Sequence, residues 1–168
     1  FNVLKVLPVD QDGFVVLNAS DLNPRAQKLA PSPTLNKIGA NKEYLAQILD
    51  RMGEASSIAQ GLKSIITTYS KFSSSGDNTI YIKVDKNKVC GFLKTGSKNL
   101  FYYDGLGKVK ELKPLCVLDF YVHESVQRTG FGKALFEKML EHQQVEPRKL
   151  AYDRPSNKFI SFLKKHYG

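Results

Sequence analysis

A long apolar segment followed by a glycine-rich turn and a helical pattern constrains the fold more than any other part of the sequence. The segment ELKPLCVLDFYV (residues 111–122) is nearly all apolar at its centre, which predicts a strand that is buried on both faces and central to its sheet. It continues through VHESVQRTGFG into GKALFEKMLEHQQ, whose apolar spacing predicts a helix. A strand, a glycine turn and a helix in this order predict an anion-binding site at the helix N-terminus.

Three phosphate-binding patterns can be compared with this turn. A P-loop fails because its first glycine would stand where the chain has Gln127. A dinucleotide fingerprint fails because its third glycine would stand at Leu135. The pattern Gln/Arg-x-x-Gly-x-Gly is matched at each fixed position by QRTGFG (residues 127–132), and Arg128 and Lys133 add positive charge. Such glycines admit backbone N–H groups to a pyrophosphate, and a glycine-rich connection without a ligand is the alternative.

Upstream of this unit, the pattern predicts two strands, a loop and a helix. The strands are FNVLKVLPV and GFVVLNAS, joined by a turn at DQDG. Residues 23–34 contain three prolines and are predicted to form a loop. Residues 41–65 have helical spacing of apolar side chains, interrupted only by Gly53, and Gly61 is expected to end or kink this helix.

A β meander and a final helix–strand–helix unit complete the predicted order. A flexible link at SSSGDN precedes antiparallel strands at TIYIKV, KVCGFLKTG, KNLFYYD and ELKPLCVLDFYV. KLAYDR is predicted to be the last strand, and PSNKFISFLKKHYG a helix with Pro155 in its first turn. This order predicts an α+β fold in one domain over residues 1–168, with a parallel strand pair near its end.

The composition limits the class of protein and of partner. The chain has 168 residues and a net charge of +9, which favours an acidic partner or a phosphorylated cofactor, although a merely basic surface explains the charge equally well. Cys90 and Cys116 form neither a disulfide framework nor a metal-binding spacing and suit a reducing compartment. There is no membrane-spanning run and no signal peptide, and a first residue other than Met predicts a piece of a longer protein.

Three blocks of the sequence together resemble the α-tubulin N-acetyltransferase family. They are PLCVLDFYVHESVQRTGFGKALF, VEPRKLAYDRPSNKFISFLKKHYG and GEASSIAQGL, and the resemblance extends over residues 48–168. QRTGFG alone resembles the acetyl-CoA loop of the wider GNAT superfamily, whereas LDFYVHESVQR and DRPS are far more specific. The resemblance implies a GNAT fold, in which helices flank a mixed central sheet and acetyl-CoA lies where the parallel strands splay apart.

The same resemblance implies an activity and its setting. It implies that a monomer transfers the acetyl group of acetyl-CoA to a lysine on the luminal face of α-tubulin in microtubules. It further implies direct transfer in a ternary complex, with no metal and with neither nucleic acid nor membrane as a partner. The implied location is the cytoplasm, on the microtubule cytoskeleton, including cilia and axons.

The resemblance also implies two cofactor-binding segments. The first would bind the pantetheine arm and pyrophosphate of acetyl-CoA and consists of Phe120, Tyr121, Val122, His123, Glu124, Ser125, Val126, Gln127, Arg128, Thr129, Gly130, Phe131, Gly132 and Lys133. The second would line the other side of the cofactor and consists of Ser156, Asn157, Lys158, Phe159, Ile160, Ser161, Phe162, Leu163, Lys164 and Lys165.

Three residues match catalytic positions of the family. Gln60 matches a glutamine needed for activity, and Cys116 and Asp153 match the acid/base candidates. An acceptor lysine with a pKa of ~10.4 must lose a proton at a cost of ~4.6 kcal/mol at pH 7, so the enzyme must lower that pKa or take the proton away. The structural alternatives are a polar helix end for Gln60, a small buried hydrophobe for Cys116 and an N-cap of the last helix for Asp153.

Other polar residues are weaker candidates. Asp119 is expected to pair with a basic neighbour, His123 to be a loop residue, and a backbone N–H of residues 116–122 to bind the thioester oxygen. A set of basic residues is expected to contact an acidic tubulin surface or the cofactor phosphates, and the alternative for each of them is a solvated surface position. The set consists of Lys94, Lys98, Lys108, Lys110, Lys113, Arg148, Lys164 and Lys165.

Two other functions stay open at the level of sequence. A GNAT-like enzyme would use the same cofactor on another protein lysine, such as one in a histone tail, or on a small amine. A non-enzymatic binder of an acidic polymer would rest only on the net charge, and the chain lacks the interleaved aromatic and basic residues typical of single-strand nucleic-acid binding.

Overall fold

The computed structural model describes residues 3–22 and 33–168. The helices are α1 (Val3–Val6), α2 (Pro33–Ala40), α3 (Lys42–Gln60), α4 (Tyr69–Ser74), α5 (Phe131–Gln143) and α6 (Asn157–Tyr167). The strands are β1 (Phe14–Asn18), β2 (Thr79–Asp85), β3 (Lys88–Ser97), β4 (Leu100–Tyr103), β5 (Val109–Leu112), β6 (Leu115–Val122) and β7 (Ala151–Tyr152). The loop predicted at residues 23–34 lies outside the described residues, except for its last two, which begin α2.

Within those ranges, five strands form a mixed sheet in the order β1-β2-β3-β6-β7. Neighbouring strands are antiparallel apart from β6 and β7, which are parallel and pair Cys116 with Ala151 and Val117 with Tyr152. Strands β4 and β5 form a separate hairpin that lies outside this sheet. The α+β class and the parallel pair near the end of the chain are therefore confirmed, while the predicted meander is interrupted by the hairpin.

The predicted strand at residues 111–122 is divided in the structure, and it is not the central one. Its first two residues belong to β5, and β6 begins only after Pro114, which has no N–H to donate to a ladder. Strand β3 occupies the middle of the sheet and is the longer strand. Burial alternates along much of β6, since Phe120 and Val122 are only half-buried. Both expectations, central placement and complete burial, are wrong.

Three further local predictions differ from the structure. The first segment forms a helical turn, α1, because the spacing of Val3, Val6 and Leu7 puts all three on one helical face that packs into the core. The first two residues of the predicted SSSGDN link, Ser73 and Ser74, instead end a short helix, α4, that the sequence pattern did not predict. Pro155 precedes Ser156, the N-cap of α6, and so lies outside the first turn of that helix.

The sheet is covered on both faces, which the alternation of side chains along its strands explains. On β2, Ile80 and Ile82 point into one core cluster, which contains residues of α1, α3 and α4, whereas Tyr81 points into another, which contains residues of α5 and α6. Gly61 ends α3 in a left-handed conformation, as predicted. No helix among the described residues is long and apolar enough to cross a membrane.

We expect Tyr81→Phe to flatten the alkaline limb of the stability curve. Burial raises the pKa of Tyr81 to about 12, and its hydroxyl lies 2.7 Å from His142 Nδ1. A tyrosine in the unfolded chain releases its proton near pH ~10, so stability falls between about pH 10 and about pH 12 as the unfolded state alone loses that proton. Urea titrations at about pH 8 and about pH 11 measure this slope. An unchanged slope in Tyr81→Phe, or an equal flattening in the exposed control Tyr103→Phe, would contradict the prediction.

Candidate functional site

A groove of about 920 Å³ opens where β6 and β7 separate. The two strands pair over only two residues, and beyond that point residues at the end of β6 and in the first turns of α6 line the groove. The glycine turn and the start of α5 form one end of the groove, and Ala59 and Gln60 at the end of α3 lie against it.

Most residues of the two predicted cofactor segments line this groove. From the first segment these are Phe120, Tyr121, Val122, Gln127, Arg128, Gly130, Gly132 and Lys133. From the second segment they are Ser156, Asn157, Lys158, Phe159, Ser161, Phe162 and Lys165. The predicted residues that do not line it are His123, Glu124, Ser125, Val126, Thr129, Phe131, Ile160, Leu163 and Lys164.

Helical geometry explains why part of each segment lies elsewhere. A helix presents only one face to a neighbouring groove, so residues on its other face contact the core or solvent. Phe131 thus lies near Lys83, whose Nζ is 5.6 Å from the centre of its ring. In the turn after β6, His123 Nδ1 and Ser125 Oγ lie 2.8 Å apart, and His123 caps the short 3-10 turn there. His123 is therefore a loop residue, as expected.

The glycine turn has the backbone geometry of an anion site. Arg128 has a φ of 65° and Gly130 a φ of 88°, which is the left-handed region that only glycine adopts without cost. The backbone N–H groups in the first turn of α5 have no intrahelical acceptor, and no side chain caps this end of the helix. With the charges of Arg128 and Lys133 beside them, these groups favour a pyrophosphate or a similar anion.

The part of the groove next to the turn is narrow and apolar. A Cβ atom on Gly132 would lie 3.5 Å from Val122, 3.6 Å from Phe120 and 3.7 Å from Phe162. The ring of Phe120 also stacks on that of Phe159, with centroids 5.1 Å apart. The groove therefore joins an anion site to an apolar channel, a shape that suits a ligand with a charged end and a slender arm.

A smaller cavity, of about 20 Å³, lies beside the groove at the point where β6 leaves β7. Gln60, Asp119 and Asp153 all line it, and Gln60 also lines the groove. Its volume suits one water molecule or one amine nitrogen. Two of the three predicted catalytic residues, Gln60 and Asp153, are therefore brought together, although they are far apart in the sequence.

Cys116, the third predicted catalytic residue, is not part of that lining. Its side chain is 1% exposed, and its Sγ atom lies 3.6 Å from the carbonyl oxygen of Pro114. Burial raises the pKa of the Cys116 thiol, the charge of Asp153 raises it further, and that of Lys98 lowers it. These influences favour the neutral thiol at neutral pH, so the arrangement works against a thiolate base.

Asp153 is held at the mouth of the small cavity by a loop that follows β7. Its Oδ2 atom lies 2.9 Å from Lys98 Nζ, and its side chain is 33% exposed. The N-cap of α6 is Ser156, whose hydroxyl accepts from the N–H of Phe159 at 3.1 Å. The alternative that Asp153 caps the last helix is therefore wrong, and its carboxylate binds the ammonium group of Lys98 instead.

Asp119 is a stronger functional candidate than its sequence context indicates. It is 5% exposed and accepts hydrogen bonds from Ser56, Gln60 and Thr67. A charge inside an apolar strand was the available signal, because an acidic side chain is seldom buried without partners. The sequence could not name those partners, since they come from α3 and from the loop before α4.

Lys94 was predicted to lie on a basic surface, and this prediction is wrong. It is 4% exposed, stands opposite Asp119 in the β3–β6 register, and donates to the carbonyl oxygen of Ile66 at 3.3 Å. Burial lowers the pKa of Lys94, and the charge of Asp119 raises it.

The described residues contain no group of three or more His, Cys, Asp and Glu side chains that could hold a metal ion.

Two relatives are similar over most or all of the chain. An alpha-tubulin N-acetyltransferase of Tetrahymena thermophila is 51% identical over 169 residues, which cover 100% of this chain and 39% of that protein. An alpha-tubulin N-acetyltransferase of Trichoplax adhaerens is 52% identical over 141 residues, which cover 76% of this chain and 59% of that protein. The chain thus spans only part of the length of the curated relatives that it matches.

A solved structure and a family match extend the comparison. The crystal structure of a predicted acetyltransferase with acetyl-CoA from Clostridium acetobutylicum has a TM-score of 0.55 and 8% sequence identity, covers 92% of this chain and 88% of that one, and supports the fold alone. The family described as GNAT acetyltransferase, Mec-17, matches residues 4–168. Together with the identity to the two relatives, this match shows that the chain belongs to the Mec-17 family of GNAT acetyltransferases.

Proposed function

We propose that this chain forms a single catalytic domain that transfers an acetyl group from acetyl-CoA to a lysine side chain of α-tubulin. One observation carries the proposal: the groove with its anion turn opens next to a cavity lined by Gln60 and Asp153. The names of the two relatives support α-tubulin as the substrate. The same proposal includes three further points: the acceptor lysine lies on the luminal face of microtubules, the enzyme is a monomer, and it is located in the cytoplasm on the cytoskeleton, including cilia and axons.

The described residues fit acetyl-CoA along the groove. The first-turn N–H groups of α5, with Arg128 and Lys133, would hold the pyrophosphate, and the apolar channel beside Gly132 would hold the pantetheine arm. When bound, the cofactor supplies an activated acetyl thioester. A backbone N–H of β6 on the side that has left β7 would polarise the thioester oxygen.

Asp153 is the residue that we assign to remove the proton from the acceptor lysine. Its half-exposed carboxylate already binds one ammonium group, that of Lys98, and it lines the cavity beside the groove. An acceptor ammonium at this carboxylate would be attracted by its charge and would pass one proton to it, directly or through one water molecule. The burial and raised pKa of Cys116 support Asp153 over Cys116 as the base and disfavour an acetyl-cysteine intermediate.

The β4–β5 hairpin favours a macromolecular acceptor over a small amine. Its strands are exposed along their whole length, with Phe101 at 69%, Tyr103 at 77% and Leu106 at 87% exposure. The hairpin follows Lys98, the partner of Asp153, and also carries Lys108 and Lys110. Exposed apolar side chains among lysines beside a catalytic cavity suit an acidic protein surface.

Incubation with acetyl-CoA and polymerised microtubules tests the proposal. We expect acetyl-lysine on α-tubulin above the enzyme-free control, with a lower rate on free tubulin dimers, histone-tail peptides and small amines. Equal or faster turnover on those acceptors would favour the alternative, a GNAT-like enzyme with another substrate. If acetyl-CoA neither raises the melting temperature nor is consumed, the proposal is wrong, and a non-enzymatic binder of an acidic polymer becomes the favoured alternative.

We expect Gly132→Ala to weaken acetyl-CoA binding about tenfold without unfolding the chain, because one methyl group would narrow the apolar channel. The new Cβ would meet its neighbours at 3.5–3.7 Å, which is ordinary contact, so the free protein gains no clash. Isothermal titration with acetyl-CoA measures the loss, and Gly105→Ala, which adds a methyl group in open space, is the matched control. Unchanged affinity in Gly132→Ala would place the cofactor elsewhere.

A further inference from the structure

The carboxylate of Asp119 has a donor at each oxygen. Its Oδ1 atom accepts from Ser56 Oγ at 2.7 Å, from Gln60 Nε2 at 3.2 Å and from the N–H of Phe120 at 3.0 Å. Its Oδ2 atom accepts from Thr67 Oγ1 at 2.6 Å. Ser56 and Gln60 stand one helical turn apart on α3, so the same face of that helix supplies two of these donors.

This arrangement fixes the orientation of the Gln60 amide. Its Nε2 atom carries two protons, one directed to Asp119 Oδ1 and the other to Ser56 Oγ at 2.9 Å. Ser56 accepts in this way because its own proton goes to the carboxylate. A carboxylate offers only acceptors, so the reversed amide would place oxygen against oxygen. No described residue donates to Gln60 Oε1, and Gln60 lines both the groove and the small cavity.

We propose that Asp119 and Ser56 are positioning residues that turn the carbonyl oxygen of Gln60 toward the cavity, where it accepts a hydrogen bond from an N–H of the acceptor amine. This inference rests on the proposed function. Gln60 forms and breaks no covalent bond, and the proton lost by the ammonium goes to Asp153. With one N–H held by Gln60 and another directed at Asp153, the nitrogen has a defined orientation toward the groove.

Two substitutions at the same carboxylate separate positioning from simple structural support. Ser56→Ala and Thr67→Val each remove one buried hydroxyl from Asp119, but only Ser56 also contacts Gln60. We expect Ser56→Ala to lower kcat/KM for microtubules about tenfold, the effect of one lost hydrogen bond, and Thr67→Val to lower it about twofold. The Kd for acetyl-CoA should change less than about twofold in both variants, since neither residue lines the groove.

A double-mutant cycle with Gln60→Met completes the kinetic test. In the Gln60→Met background, Ser56→Ala should cost less than about twofold in kcat/KM, because the amide that it orients is already gone. The inference would be overturned if Ser56→Ala and Thr67→Val lowered kcat/KM equally and in proportion to the fall in their melting temperatures. It would also be overturned if Ser56→Ala cost as much kcat/KM in the Gln60→Met background as in the wild type.

A measurement made without any acceptor substrate distinguishes failure of this inference from failure of the proposed function. The two side-chain amide protons of Gln60 should exchange slowly with solvent in NMR spectra of the wild type, and Ser56→Ala should speed their exchange more than Thr67→Val does. Fast exchange in the wild type would overturn the inference, whatever the substrate. Slow exchange in a wild type that acetylates no microtubules would refute the proposed function and, with it, the acceptor role of Gln60 Oε1.

Discussion

Asp153→Asn is expected to lower kcat for microtubule acetylation at neutral pH by a hundredfold or more, on the order of the contribution of a general base. Asparagine has nearly the same shape as aspartate but cannot take up the proton of the acceptor ammonium. The lost ion pair with Lys98 is solvent-exposed, so we expect the melting temperature to change little. Initial rates at saturating microtubules and acetyl-CoA, followed against pH, measure the effect.

Two controls accompany this prediction. Lys98→Met removes the same ion pair but leaves the carboxylate, so it separates loss of the base from loss of the pair and should cost less than about tenfold in kcat. Cys116→Ala removes the buried thiol and should also cost less than about tenfold, because burial and the charge of Asp153 favour its neutral form. A Cys116→Ala loss that matches or exceeds that of Asp153→Asn would reverse the assignment of the base.

Gly53→Ala is expected to destabilise the chain by about 3 kcal/mol or more, as overpacking in a rigid core does. Replacing glycine by alanine inside a helix ordinarily stabilises the fold by up to ~1 kcal/mol, so helix propensity alone would predict a more stable protein, the opposite of the expected result. The reason is that Gly53 is buried in α3 with the backbone of Thr67 directly against it. A Cβ atom would overlap the carbonyl oxygen of Thr67 and lie 2.7 Å from its carbonyl carbon.

Gly53→Ala should also disturb the candidate functional site. Thr67 donates to Asp119, so backbone displacement at Thr67 is expected to loosen the network that holds Gln60. Thermal unfolding should show a fall of about 6 °C or more in Tm for a chain of this size. Glu54→Ala, at the next and exposed position of α3, is the control. An unchanged or higher Tm in Gly53→Ala would mean that Thr67 yields without cost.

Much of the site was predictable because its signals are local. The glycines of QRTGFG, the strand before them and the helix after them are contiguous in the chain, and the predicted anion turn has the expected strand–turn–helix context. The assignment of Gln60 and Asp153 came from a resemblance to a family, since neither residue has a local signal of its own. Their convergence on one cavity depends on where α3 ends and where β7 separates from β6.

The sequence by itself determined most of the periodic elements, the glycine turn and the family, because apolar spacing and short motifs are properties of consecutive residues. Only the tertiary structure decided that Pro114 divides the predicted long strand, that Lys94 is buried and that Asp119 orients Gln60. The last two depend on residues that are distant in the chain and packed together, whereas Pro114 acts locally through its missing N–H. A lysine or an aspartate has the same letter whether water or a buried partner surrounds it, and the free energy of its charge is set by those surroundings.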